Sequence, residues 1–149
     1  MRTALILAVI LFWIPLYEAF GAETQPVDMG KIAHIESSGC KNLVGDNGKA
    51  LGCYQLHKGV VAEYNQYKRA LYRHDDVMRP DIGLKIANWY MNKRLVFLLN
   101  KYKIPVNNLT LIASYNWGIG NVKKWYEKGG KFEDLPITTR KYYKKYIGM

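Results

Sequence analysis

The chain is short of metal ligands. Its 149 residues hold two cysteines, Cys40 and Cys53, and three histidines, His34, His57 and His74, scattered along the sequence. No zinc-like spacing can be drawn from them, and no metal or cofactor is expected. Acidic residues are also scarce, 12 against 22 Lys and Arg, which leaves a net charge of +10. That excess points to an anionic partner, such as nucleic acid, a membrane surface or a cell-wall polymer, and says little about fold. There is no internal repeat and no low-complexity stretch. With 49% apolar residues the chain is not disordered, and its length suits one domain with a real core.

A long apolar run is missing too. The longest, Ala4–Tyr17, has 14 residues and contains Pro15. A membrane-spanning helix needs roughly 20. Arg2 precedes the run, and Ala19-Phe20-Gly21 supplies small residues for cleavage. This reads as a secretory signal over residues 1–21 and a mature domain over 22–149, with a retained anchor as the alternative. No stable membrane span is expected after cleavage. The protein is then exported, to the periplasm or the extracellular wall space. Export permits a disulfide. Cys40 and Cys53 enclose twelve residues, a closure worth roughly 3 kcal/mol.

The pattern is mostly helical. Asp28 is placed to cap a helix that carries Met29, Ile32, Ala33 and Glu36 on one face and ends at Gly39. A turn-rich stretch follows, whose Asp46-Asn47-Gly48 suits a tight turn in a small hairpin. Further helices are expected over roughly 58–72, over a long segment opened by Pro80, from Asn107 or Asn108 to a break at Gly118 and Gly120, and over 122–128. A last one is capped near Thr138 or Thr139.

Glu36 interrupts an apolar stripe. A carboxyl group there is either partly desolvated, with a raised pKa, or simply exposed at a helix end. The first state would supply the protonated acid that glycosidic cleavage requires.

Four stretches bear on that choice. Glu36-Ser37-Ser38, Ala50-Leu51-Gly52-Cys53-Tyr54-Gln55, Ala113-Ser114-Tyr115-Asn116-Trp117-Gly118, and Pro136, Thr139 and Tyr142 occur in that order. Together they resemble the lytic transglycosylases, which share a fold group with goose-type lysozymes. The resemblance implies a mainly α, lysozyme-like α+β domain with a glycan groove and a small loop or hairpin lobe after the catalytic helix. It implies cleavage of the β-1,4 bond between N-acetylmuramic acid and N-acetylglucosamine in peptidoglycan, leaving a 1,6-anhydro sugar. Glu36 would be the general acid and then the base. Ser37, Gln55, Tyr115, Asn116, Asp46 and Tyr142 would contact the glycan, with the Tyr115 hydroxyl near Glu36 or the acetamido group. For Asn116, a buried amide holding the helix end is the preferred reading.

Two departures from the family pattern stand out. Asp46 lies where the family often has a serine, and is either a turn residue or a second carboxylate for true hydrolysis. Cys53 replaces a usual apolar residue and, with Cys40, would tie the catalytic helix to the loop. The tail RKYYKKYIGM mixes basic and aromatic residues, a pattern that also binds nucleic acid. An inward row of tyrosines with lysines in solvent is preferred, and nucleic acid is not expected as the partner. A non-catalytic wall-binding module is a further alternative. The expected partners are glycan strands and a larger secretion, conjugation, pilus or phage-entry machine.

Overall fold

The computed structural model describes residues 25–149, so the expected signal over 1–21 lies outside the described residues. Helix α1, Met29–Ser37, begins where Asp28 accepts the N–H groups of Gly30 and Lys31 through its carboxylate. Ser38 ends it in the left-handed conformation. Strands β1 (Val44–Gly45), β2 (Ala50–Leu51) and β3 (Leu56–His57) follow as one antiparallel sheet in sequential order. Gly45 pairs with Ala50, and Ala50 with His57. The β1–β2 turn has Asp46, Asn47 and Gly48 all at positive φ, a conformation that Asp, Asn and Gly adopt most cheaply.

Helix α2, Lys58–Lys68, is shorter than the expected 58–72. The Asn65 side chain explains the stop. Its amide donates to the Tyr72 carbonyl at 2.7 Å and accepts the Tyr72 N–H at 3.1 Å, which captures the reversing chain. Leu71, beyond the helix end, is 96% exposed. A 3-10 turn, His74–Met78, leads into α3, Pro80–Trp89. The helix runs on through a π-helical segment, Tyr90–Leu95, into α4, Val96–Lys101. Within that segment Asn92 holds both the N–H and the carbonyl of Val27, which fixes the approach to α1.

Helix α5, Asn108–Trp117, is capped by Asn107 and stops at Gly118, whose φ of 91° is cheap only for glycine. Helix α6, Ile119–Glu127, begins at once, so Gly120 sits inside a helix instead of breaking one. Helix α7, Ile137–Ile147, starts after Pro136. Thr139, expected near its cap, is buried within it.

The core forms around α5. Leu111, Ile112, Ala113 and Ser114 are all buried, and α5 packs on α6, α7 and the π-helical segment. Ile32, Ile86, Met91, Leu95, Leu99 and Val122 fill the space around it. Helix α1 lies against α7 and α3. Tyr142 and Tyr146 of α7 point inward while Lys144 and Lys145 stay exposed. The basic tail is thus an amphipathic packing helix. The whole is a mainly helical α+β domain with a three-stranded lobe after the first helix.

Candidate active site

Glu36 occupies the last turn of α1, one residue before the helix ends. Packing of α7 on α1 brings the Tyr142 hydroxyl to it, donating to Glu36 Oε1 at 2.8 Å. Burial pushes the Glu36 pKa up from 4.5 to about 7, against the lowering effect of that hydrogen bond. Among the described residues, Glu36 is the carboxyl group for which such a rise is resolved. Tyr142 is itself held well above the ordinary phenol range, first by burial and then by the Glu36 charge. It donates without competing for the role of anion.

The loop opposite is fastened to α1 at two points. Cys40 and Cys53 form a disulfide. Ser37 sits in the same corner, 1% exposed. Its hydroxyl lies 2.9 Å from the Ala33 carbonyl and 2.8 Å from that of Cys53, and it accepts the Cys40 N–H at 2.9 Å. The expectation that Ser37 contacts glycan is thereby corrected. A hydroxyl buried and saturated in this way holds the helix end to the loop.

Between α1, the sheet and the end of α5 lies an open groove of about 300 Å³, lined by Glu36, Asp46, Ala50, Gln55, His57, Tyr115 and Asn116. Gln55 adopts a positive φ of 47°. Its amide donates to the carbonyls of Asn42 at 3.2 Å and Gly52 at 2.9 Å. Its Oε1 rests where a Cβ on residue 45 would stand, so a side chain there would displace the Gln55 amide. Gln55 both lines the groove and braces its wall.

Tyr115 shares the groove with Glu36, but its hydroxyl donates to the Tyr54 carbonyl at 2.7 Å. The hydrogen bond to Glu36 comes from Tyr142 instead. Tyr142 is buried, so it reaches the acid and not the open groove. Asn116 is exposed, which corrects its reading as a buried amide. Its Oδ1 accepts from the buried Thr139 hydroxyl at 2.9 Å, and the residue also lines the groove. Asp46 lies in the turn, as expected, and also on the groove wall, 4.0 Å from His57 Nε2.

His57 is the groove residue that sequence reading missed. The available signal was strand alternation. His57 pairs with Ala50, so the two share the sheet face that borders the groove. No group of three or more His, Cys, Asp or Glu that could hold a metal occurs among the described residues. No helix among them is long and apolar enough to cross a membrane.

A carboxyl group with a raised pKa on an open polar groove, hydrogen-bonded by a phenol, is equipped to donate a proton to a leaving oxygen. The family pattern of the transglycosylase SLT domain matches residues 22–137. The chain belongs to this family. No curated protein and no solved structure matches it. As a transglycosylase SLT domain it is a peptidoglycan lytic transglycosylase, a lysozyme-like enzyme that cleaves glycosidic bonds. The matched span ends at the first residue of α7, yet α7 supplies the hydrogen bond to Glu36.

Proposed function

We propose that Glu36 drives non-hydrolytic cleavage of the β-1,4 bond after N-acetylmuramic acid and that the product is a 1,6-anhydro sugar. The observation that carries this reading is the Glu36 carboxyl, held at the groove by Tyr142 with a pKa of about 7. A group poised there carries a proton in much of the population near neutrality.

Glu36 first gives its proton to the glycosidic oxygen as the bond to C1 breaks. The acetamido oxygen of the same sugar stabilises C1, so one carboxylate suffices. Glu36, now a carboxylate, takes the proton of the C6 hydroxyl. The C6 oxygen then closes on C1, the acetamido group is released, and Glu36 regains its starting state. Asn116 and Gln55, on the groove wall, are placed to bind sugar polar groups.

Asp46 gives a second reading a footing, because its side chain shares the groove with Glu36. A carboxylate opposite the acid can activate water, and the reaction is then hydrolysis with inversion. Product masses separate the two. Purified peptidoglycan digested by the protein is expected to yield muropeptides one water lighter than hydrolytic products. Full-mass reducing ends that disappear in Asp46→Asn would replace the lyase reading with the hydrolase one.

Residues 1–21 have the pattern of an export signal, and the wall space is the proposed place of action. The net charge of +10 favours a polymer whose peptides carry carboxylates. Local opening of the wall suits service to a secretion, conjugation, pilus or phage-entry machine.

A further inference from the structure

A larger depression lies beside α2. It measures about 530 Å³, and Lys58, Asn65, Tyr72, Arg73, His74 and Asp75 line it. Its floor is rigid. Asn65 clamps both backbone groups of Tyr72, and His74 Nε2 donates to the Leu56 carbonyl at 2.7 Å. Its rim carries both signs of charge. Arg73 and Asp75 face each other at 3.6 Å, both well exposed. Lys58 has no carboxylate partner among the described residues.

The linings of the depression and of the groove meet at one peptide bond. His57 borders one and Lys58 the other, and consecutive Cα atoms lie about 3.8 Å apart. We infer that the depression beside α2 binds the peptide stem of the glycan being cut. The inference rests on the reading of the chain as a peptidoglycan-cleaving enzyme. A stem of four or five residues reaches roughly 13–18 Å when extended, enough to leave the sugar in one cavity and lie in its neighbour. The stem carries carboxylates, to which Lys58 and Arg73 donate. Its diamino acid carries an ammonium, which Asp75 accepts. A site with both signs fits such a zwitterionic segment better than a uniform polyanion, and this argues against nucleic acid here.

The test uses a free stem tetrapeptide with a diamino acid at its third position. Titrated into the protein, it is expected to shift the amide resonances of residues 58–75. The double variant Lys58→Glu, Arg73→Glu, changed at two exposed positions, is expected to lose those shifts while keeping the native spectrum. The same variant is expected to lose roughly tenfold in kcat/KM on peptide-bearing strands and nothing on strands stripped by an amidase. Absence of shifts around the depression, or an equal loss on both substrates, overturns the inference. If the peptide binds there and neither strand is cut by the unaltered protein, the pocket stands and the cleavage reading fails.

Discussion

Burial and the Tyr142 hydroxyl act on the Glu36 carboxyl in opposite directions, and burial is the larger. Removing the hydroxyl therefore moves the pKa further up. In Tyr142→Phe the alkaline limb of the pH–rate profile is expected to shift above the value near 7 set by Glu36, and a shift downward would contradict this assignment. The same group links pH to stability. Its folded pKa, about 7, lies above the ordinary 4.5, so between those values the native state holds a proton that the unfolded chain has released. Stability must then fall as pH rises through that window, by on the order of 3 kcal/mol in all. Glu36→Gln lacks this penalty. Thermal unfolding is expected to show it close to wild type at pH 4 and more stable at pH 8. The placement of Glu36 on an apolar stripe was legible from the spacing of Met29, Ile32 and Ala33. Its hydrogen-bond partner was not. Tyr115 and Tyr142 both stood in the motifs, and only the packing of α7 on α1 decides which hydroxyl reaches the acid.

Helix α1 and the three-stranded lobe make one wall of the groove because the chain is tied at their junction. The Cys40–Cys53 bridge and the Ser37 hydroxyl fasten the same corner. Closing so short a loop is worth roughly 3 kcal/mol. Reducing the bridge is expected to lower the melting temperature by several degrees and to weaken cleavage, checked by scanning calorimetry and a turbidity assay with and without reductant. An unchanged melting temperature and rate would remove the bridge from the account. Elements with local signals were readable: the Asp28 cap of α1, the Asp46-Asn47-Gly48 turn, the Asn107 cap of α5. Those set by distant partners were not. The end of α2 depends on Asn65 reaching Tyr72, and the start of α7 follows Pro136 while Thr139 turns inward to Asn116.

At the scale of the whole molecule, α5 carries Tyr115 and Asn116, α1 carries Glu36 and the lobe carries Gln55, Asp46 and His57, all meeting at one groove. The sequence spaced these motifs in order, and the family assignment accounts for why their order was informative. What the spacing left out was the second cavity beside α2, since Tyr72 to Asp75 of its lining come from a chain segment whose path is set by Asn65 and His74. The decisive measurement is the release of soluble muropeptides from purified peptidoglycan by wild type, Glu36→Gln and Asp46→Asn side by side. Circular dichroism serves as the fold control. The account predicts that Glu36→Gln loses at least about 100-fold in rate with its fold intact, while Asp46→Asn keeps most of the activity. A folded Glu36→Gln that still cleaves at the wild-type rate would contradict it.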